Sequence, residues 1–228
     1  MTRLLAVVLA ALLLVSGCSK GSDGSSTGAS PRKALAAAKK NLDDTSGVQI
    51  GLATPKLPAG VNGLLKADGI ATHAPAFQGV IKIAASGVTA DASVVAVDQV
   101  VYAKLPFTTQ YVTINPADYG APDPAALLDP QAGLSSLLTS ATDVQAGGQV
   151  RQGKEVLRTY DAKVPGKAVA AVIPSADANA TFDATFTVDD QDRLTKAVLT
   201  GPFYPKGGDV TYTITFDHYG TTKNITAP

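Results

Sequence analysis

The sequence predicts an α+β fold, in which helices cover one face of a single antiparallel β-sheet. Three observations predict it. A segment of strong helix formers, "PRKALAAAKKNLDD", opens the region that follows residue 30. Most of the chain after Gly47 places apolar residues at every second position, which is typical of strands with one buried face. Residues 115–143 interrupt these runs with four prolines and with leucines at helical spacing.

The N-terminal half is divided into elements by its start and stop signals. We expect a helix from Pro31, because proline is favoured in the first helical turn, up to the stop at Gly47. Alternating segments predict strands at 48–53, 81–83 and 88–96. Asp98-Gln99 has the form of a tight turn that leads into another strand through Tyr102. A meander of hairpins is therefore the expected topology.

The C-terminal half contains both helical and strand patterns. The leucines of residues 115–143 predict short helical pieces, and "VPGKAVAAVIPS" predicts another short helix with Val169, Val172 and Ile173 on its apolar side. The clearest strands of the chain are 180–188 and 210–216, where apolar residues alternate with threonine and aspartate. Each of these strands has one face to bury.

Residues 1–17 have the order of a secretory signal peptide. Arg3 is followed by an apolar run over residues 4–15 and by two small residues. The run is shorter than the roughly 20 residues that a membrane-spanning helix needs. Residues 15–18, Val-Ser-Gly-Cys, resemble the bacterial lipobox, in which the cysteine is diacylated and becomes the new N-terminus. We expect lipidation of Cys18; the alternative is an incidental thiol in a cleaved leader.

The rest of the chain divides into a tether and one body. Residues 18–30 start with Cys18 and continue with serine, glycine and other small residues, which is the composition of a flexible tether. Residues 31–228 are long enough for a single domain with a substantial core. Two acyl chains give stable attachment to a bilayer. We therefore expect a protein that is lipid-anchored to the cell membrane on its extracytoplasmic face, in the cell envelope.

Few residues in the chain are suited to catalysis, metal binding or nucleic-acid binding. The 19 basic residues balance the 19 acidic ones and are scattered, which argues against nucleic acid as a partner. The lone cysteine excludes an intramolecular disulfide and a multi-cysteine metal site. The two histidines, His73 and His218, have no paired partner in the sequence. We expect no enzymatic activity, no catalytic residues, no metal and no cofactor.

Two polar features have an alternative interpretation. Asp189, Asp190 and Asp192 stand close together as in a calcium loop, but the remaining ligands of such a loop are missing and a turn between strands is favoured. Tyr204 lies in the loop "GPFYPKGG", from which its phenol would be able to reach a polar group of a ligand.

The predicted strands carry unusually small apolar side chains. Three explanations stay open: the helices approach the sheet closely and leave no void, the space is an apolar pocket, or the alanines reflect a biased genome. The two lean rows are Leu65, Ala67, Gly69 and Ala71, and Val88, Ala90, Ala92, Val94 and Ala96.

Three segments carry a family resemblance: "LDPQAGLSSLL" at residues 128–138, "FTVDDQDRLTKAVL", and the closing "VTYTITFDHYGTTKNITAP". Together with the lipobox and tether, they resemble the mycobacterial lipoprotein family of LppX, LprA, LprF and LprG over nearly the whole mature chain. The resemblance implies a curved antiparallel half-barrel sheet with helices packed on its concave face, enclosing an apolar cavity. The family usually has tryptophans where this chain has residues 186–187 and 218–219, so the shape of the cavity and its cargo are expected to differ.

The resemblance also implies a function. It predicts a lipoprotein that binds acylated lipid or glycolipid and transports it across the cell envelope. The expected partners are this lipid, the membrane through the N-terminal anchor, and a membrane lipid exporter, with the protein itself a monomer. Loops 115–124 and 201–208 are candidate mobile mouths by composition. By position, Ile81 matches a cavity residue of the family, and the full set expected to line the cavity is Ile81, Ile83, Val94, Leu134, Leu138, Val172, Phe182 and Phe186.

Two other classes of function stay open. One is a non-catalytic envelope lipoprotein with a solid core that acts as a protein-binding or transport accessory module. The other is an enzyme without recognisable motifs.

Overall fold

A computed structural model describes residues 30–205 and 207–228 of the chain. The predicted signal peptide, Cys18 and the tether up to residue 29 lie outside the described residues. The described part contains three α-helices and eleven strands, with two short 3₁₀ turns at Pro116–Tyr119 and Pro124–Ala126. In chain order the elements are α1 (Pro31–Asp44), β1 (Gly47–Ala53), β2 (Gly63–Thr72), β3 (Ala76–Ala85), β4 (Val88–Val97), β5 (Val100–Lys104), β6 (Val112–Ile114), α2 (Ser136–Ser140), β7 (Thr142–Gln152), β8 (Glu155–Pro165), α3 (Gly166–Val172), β9 (Thr181–Val188), β10 (Leu194–Gly201) and β11 (Val210–Asp217).

The strands of the described residues form one antiparallel sheet. Their order is β6-β5-β4-β3-β2-β1-β11-β10-β9-β8-β7, so each half of the chain is a meander and the central pair β1 and β11 joins the two halves. The edge strands β6 and β7 do not pair with each other in this part of the chain, which leaves the sheet open. The predicted α+β class, the hairpin meander and the unclosed antiparallel sheet are thereby confirmed.

Several local predictions hold in detail. Asp98 and Gln99 have φ angles of 54° and 64°, and positive φ at both central residues is what a type I′ hairpin turn requires. Helix α3 occupies the predicted segment, and α1 starts at Pro31 but ends at Asp44, slightly before Gly47. Strand β7 was not predicted, because it is an edge strand exposed along nearly its whole length and shows no alternation.

The helices pack on one face of the sheet and form a continuous core with it. Helix α1 buries Ala34, Leu35, Ala38 and Leu42 on one side, while Leu137 and Leu138 of α2 and Val169 and Val172 of α3 join the same core. We call this side of the sheet the covered face; it carries Ile50, Phe77, Val94, Phe186 and Phe216 among others.

Aromatic rings fill part of the volume above the small residues of the covered face. Gly69 and Gly79 are cross-strand partners, and a Cβ atom added to either would come within 2.4 and 2.8 Å, respectively, of Cζ of Phe77. Phe182 lies against Gly201 in the same way, with Cδ1 at 2.4 Å from the position of a Cβ. At these places the glycines allow close packing and leave no void.

The opposite face of the sheet is largely polar, with one exception. The segment after β11 returns across this face, where Ile225 is buried against Ala76 and Val95. Gly220 N–H donates to the carbonyl of Gly47 at 3.0 Å and fixes the start of this segment. Within residues 30–205 and 207–228, no helix is long and apolar enough to cross a membrane.

Candidate functional site

A row of cross-strand neighbours crosses the covered face from β4 to β8. Its members are paired residue by residue through seven strand pairs. The row is buried at both ends but only half-buried where it crosses β1, β2 and β3. In order, the row consists of Ala92, Ile81, Ala67, Leu52, Ile214, Ala197, Phe186 and Tyr160.

The half-buried stretch of this row forms an accessible apolar surface. Leu52, Leu57 and Ile81 pack against the core while remaining partly exposed, and Ala67 and Ile83 are also partly exposed. Ile83 shares the face of Ile81 because residues two apart on a strand point the same way. We call these five residues the apolar window.

The structure divides the eight predicted cavity residues into two groups. Ile81 and Ile83 belong to the apolar window. The other six are buried, with exposures between 0 % for Phe182 and 5 % for Leu134. Side chains so little exposed have no water-sized space beside them, so a cavity along these six requires the helices to move away from the sheet. Their role as cavity lining stays a prediction.

Two parts of the cover lie over different strands of the sheet. The turn Pro124–Ala126 contacts β2, β3 and β4, whereas α3 contacts β8 and β9. The two parts approach each other at Gly120 and Ser175, where a Cβ atom added to Gly120 would lie 2.9 Å from Cβ of Ser175. Gly120 and Ser175 are thus a point of contact between these two parts, and α1 and α2 complete the cover, with α1 against β10 and α2 against α3.

The segment of residues 127–134 owes its shape to a carboxylate and a glycine. Oδ1 of Asp129 accepts hydrogen bonds from N–H of Gln131 at 2.7 Å and of Ala132 at 2.8 Å, and these bonds lower the pKa of the carboxyl. A Cβ atom on Gly133 would lie 2.6 Å from the carbonyl oxygens of both Asp129 and Leu127. This turn is therefore structural, and it places Leu134 and the leucines of α2 in the core.

Tyr204, a candidate for contacting a ligand, is hydrogen-bonded within the protein instead. Its hydroxyl lies 2.7 Å from that of Tyr212 and accepts from N–H of Leu64 at 3.3 Å. Burial raises the pKa of Tyr212, and the hydrogen bond with Tyr204 raises it further. Phe203 packs edge-to-face against both Phe182 and Tyr212, so aromatic rings fill the core beside this hydrogen bond.

The acidic turn between β9 and β10 is satisfied by the protein's own groups. Asp189 is buried, and its two oxygens accept from N–H of Gln191, from N–H of Arg193 and from Nε of Arg193 at 2.7 to 2.9 Å. Arg158 donates to Asp192 at 2.7 Å. This segment is therefore a turn between strands, as the sequence favoured. The described residues contain no cluster of His, Cys, Asp or Glu able to hold a metal ion.

The histidines lie apart from each other. Nε2 of His73 lies 3.1 Å from the carbonyl oxygen of Leu42 near the end of α1. His218 occupies an exposed turn with Nδ1 at 3.6 Å from a carboxylate oxygen of Asp217. Neither histidine lies in the apolar window.

Two grooves lie on the opposite face of the sheet, with volumes of about 400 and about 370 Å³. The lining of both grooves is mixed: the first includes Asp161, Lys163 and Val198, and the second includes Asp68 and Val80. Only Val94 of the eight predicted cavity residues borders either groove. These grooves are thus separated from the predicted site by the sheet.

The fold and the site define a single-sheet α+β protein whose candidate site is a partly exposed apolar surface at the edge of the helical cover. The model of the LppX_LprAFG lipoprotein family matches residues 30–226, and the chain therefore belongs to this family. This finding confirms the resemblance that the sequence motifs predicted.

Curated relatives and solved structures agree with this assignment. The chain is 26% identical over 234 residues to the lipoarabinomannan carrier protein LprG of Mycobacterium bovis (strain BCG / Pasteur 1173P2), covering 98% of this chain and 93% of that protein. It is 29% identical to LprG of Mycolicibacterium smegmatis, with coverages of 99% and 94%.

Two crystal structures share the fold. LprF from Mycobacterium bovis has a TM-score of 0.67 at 16% identity and covers 87% of this chain and 96% of its own. LppX from Mycobacterium tuberculosis has a TM-score of 0.63 at 14% identity, with coverages of 86% and 98%.

Proposed function

We propose that the protein is a membrane-anchored carrier that binds the acyl chains of a lipid or glycolipid between the covered face and its helices and transports it across the cell envelope. The observation that carries this proposal is the apolar window, a partly exposed apolar surface continuous with the core of a family fold. The name of the LprG relatives, lipoarabinomannan carrier protein, supports a glycolipid as cargo. The apolar window itself offers no acid, base or metal ligand.

The free energy of binding comes from removing acyl chains from water. Each Å² of apolar surface buried contributes roughly 25 cal/mol. Because the six buried residues of the predicted lining are tightly packed in this structure, the chains enter at the apolar window and the two parts of the cover separate at Gly120 and Ser175 as the cargo goes deeper. Gly120 lies within the predicted mouth loop 115–124.

The N-terminal region supplies the attachment in this proposal. Diacylated Cys18 holds the protein on the extracytoplasmic face of the membrane after removal of residues 1–17. Residues 18–30 form the tether, and residues 31–228 the single lipid-binding domain. The protein acts as a monomer that receives its cargo from a membrane lipid exporter.

Native mass spectrometry of the protein produced in a lipid-rich actinobacterial host tests the proposal. The chain from residue 18 onward, with Cys18→Ser, has no anchor lipid of its own, so any bound lipid is cargo. We expect a lipid of defined mass in the parent. Ile81→Trp fills the apolar window and is expected to lose this lipid while remaining folded.

The adjacent Val80 provides a matched control. It is 51% exposed and points to the opposite face of β3, so Val80→Trp is expected to retain the lipid. Absence of lipid from the parent, or equal lipid in both tryptophan variants, would contradict the proposed site.

The tight packing of the buried residues favours a second candidate function. Phe182, Phe186, Val94 and Leu138 are each no more than 2% exposed, as expected for an envelope lipoprotein with a solid core that serves as a protein-binding or transport accessory module. The same experiment separates the two functions, since a solid core retains no lipid in any variant.

A further inference from the structure

An aromatic side chain projects into solvent from the loop between β5 and β6. The side chain of Phe107 is completely exposed, at 107%. N–H of Thr108 donates to the carbonyl of Leu105 at 3.2 Å and closes a β-turn in which Pro106 and Phe107 are the central residues. Phe107 has a φ of +68°.

This conformation is unfavourable for phenylalanine. A β-turn with positive φ at its second central residue normally has glycine there, and a residue with a Cβ atom pays about 1 to 2 kcal/mol in the left-handed region. Phe107 gains no packing from the described residues in return. A strained residue that exposes a large apolar side chain indicates a contact outside the chain.

Other exposed apolar residues lie at the same end of the sheet. Val88 is 68% exposed and Leu105 is 46% exposed. Val88 is the first residue of β4, and Leu105 directly follows the last residue of β5. Because neighbouring strands are antiparallel, the start of β4 and the end of β5 lie at the same end of the sheet as the start of β2. We call loops 54–62, 85–88 and 105–111 the rim. The apolar window, with Ile81 and Ile83, lies nearest this end of β3.

The charge of the rim fits an anionic surface. Its three loops contain no aspartate or glutamate. Lys56 lies in the first loop and Lys104 immediately precedes the third, whereas Lys82 near the second loop is paired with Asp91 at 3.4 Å. Apolar side chains among lysines are the combination by which proteins bind the interface of an anionic bilayer.

The N-terminal tether joins the body at the same end. Helix α1 ends close to the start of β1, and β1 starts at the end of the sheet opposite to the rim. The start of α1 therefore lies towards the rim. Arg32 donates to the carbonyl of Ala141 at 3.5 Å, and the adjacent Thr142 pairs with Lys163 near the rim end of β8. The start of α1 lies beside β7, at the opposite edge of the sheet from the β5–β6 loop, so a membrane anchor before Ser30 and a contact at Phe107 would hold the same end of the sheet at the bilayer from its two edges.

We propose that the rim docks on the surface of an anionic bilayer with Phe107 inserted into the interface. Docking in this orientation presents the apolar window to the membrane. The proposal goes beyond the carrier function, since it concerns a second contact with the membrane in addition to the anchor, and Leu57 is the residue that the rim shares with the apolar window.

The absence of tryptophan from the sequence provides a direct test. Phe107→Trp, in the chain from residue 18 onward with Cys18→Ser, introduces a single indole. On mixing with vesicles of phosphatidylcholine and phosphatidylglycerol, we expect its emission to shift to the blue. The control is Val150→Trp, which replaces another exposed apolar residue, at 53%, on the hairpin at the far end of the sheet. Its emission is expected to stay constant, and equal behaviour of the two indoles would overturn the proposal.

A second variant separates docking from folding. Phe107→Gly removes the ring and relieves the strained φ, so its Tm is expected to equal or exceed that of the parent. Its affinity for the vesicles should fall roughly tenfold. Vesicle binding as tight as that of the parent would overturn the proposal and assign the exposed ring to a protein partner. The lipid content of Phe107→Gly, measured by native mass spectrometry, reports separately on the carrier function.

Discussion

The hydroxyl oxygens of Tyr204 and Tyr212 lie 2.7 Å apart and complete a closed ring of three hydrogen bonds with the backbone of Leu64. Tyr212 donates to the carbonyl of Leu64 at 2.6 Å, which leaves Tyr204 as the donor to Tyr212. N–H of Leu64 then donates to Tyr204 at 3.3 Å. Because β1 ends at Ala53, this ring connects β2 to β11 where no strand remains between them.

Removing one hydroxyl from this ring is expected to destabilise the protein. Tyr212→Phe leaves the carbonyl of Leu64 without its donor in a buried place, and we expect the free energy of unfolding to fall by about 1 to 3 kcal/mol. Urea denaturation measures the change. Tyr119→Phe is the matched control at a tyrosine that is 69% exposed, where a change below about 0.5 kcal/mol is expected. Equal stabilities of the two variants would show that the ring contributes nothing.

The ring of hydrogen bonds is a contact that sequence patterns do not predict. The alternation of threonine with apolar residues predicted β9 and β11, and Pro31 with the strong helix formers that follow it predicted α1. Those signals are local. Tyr204 meets Leu64 across 140 positions of the chain, and no periodicity identifies such a pair. Similarly, β7 was missed because an exposed edge strand has no face to bury and therefore no apolar pattern.

The candidate site could be predicted only in part. The motifs indicated the family, and the strand pattern placed Ile81, Val94 and Phe186 on one face. The sequence did not reveal which of these residues are accessible. The accessibility of each residue depends on which strands the cover reaches. The turn Pro124–Ala126 contacts β2, β3 and β4 but leaves the apolar window partly exposed, whereas Phe186 on β9, the strand that α3 contacts, is buried.

The stability of the protein is expected to decrease in alkaline solution. Burial raises the pKa of Tyr212 and of Tyr219 in the folded state, in the latter case with a further contribution from Asp189. Unfolded tyrosines ionise near pH 10. Above about this pH the unfolded chain loses protons that the folded protein retains, so the free energy of unfolding falls as the pH rises.

Urea denaturation between pH 8 and about 11 measures this slope. Tyr219→Phe is expected to be less stable than the parent at pH 8, since its bond to the carbonyl of Leu194 at 2.7 Å is lost, but to show a shallower decline above about pH 10. A decline as steep as that of the parent would contradict the assignment of the slope to this tyrosine.

The turn before α2 is expected to tolerate no side chain at Gly133. In Gly133→Ala the new Cβ would lie 2.6 Å from two carbonyl oxygens, so the turn must open and the leucines that follow lose packing. We expect a loss of about 2 kcal/mol or more by urea denaturation. Gly148→Ala is the control, because a Cβ there meets no atom within 4 Å. Comparable losses in both variants would contradict a steric cause at Gly133, since the effect of alanine on the unfolded chain is stabilising.

Locking the two parts of the cover together is expected to block loading with lipid. Gly120→Cys with Ser175→Cys, in a chain that carries Cys18→Ser, places two thiols at the point where the parts meet. The 2.9 Å between the Cβ positions must widen slightly to reach the roughly 3.8 Å of a disulfide, and the positive φ of Gly120 adds some strain.

If cargo enters by separation of the cover, the oxidised variant should take up little of a fluorescent acyl lipid, whereas the reduced form should load like the parent. The single variant Ser175→Cys controls for the reductant. Uptake by the oxidised variant at the rate of the parent would show that acyl chains reach the covered face without this movement. The apolar window at Ile81 would then be the whole of the binding site, since the buried residues Phe182 and Phe186 stay packed while the cover is closed.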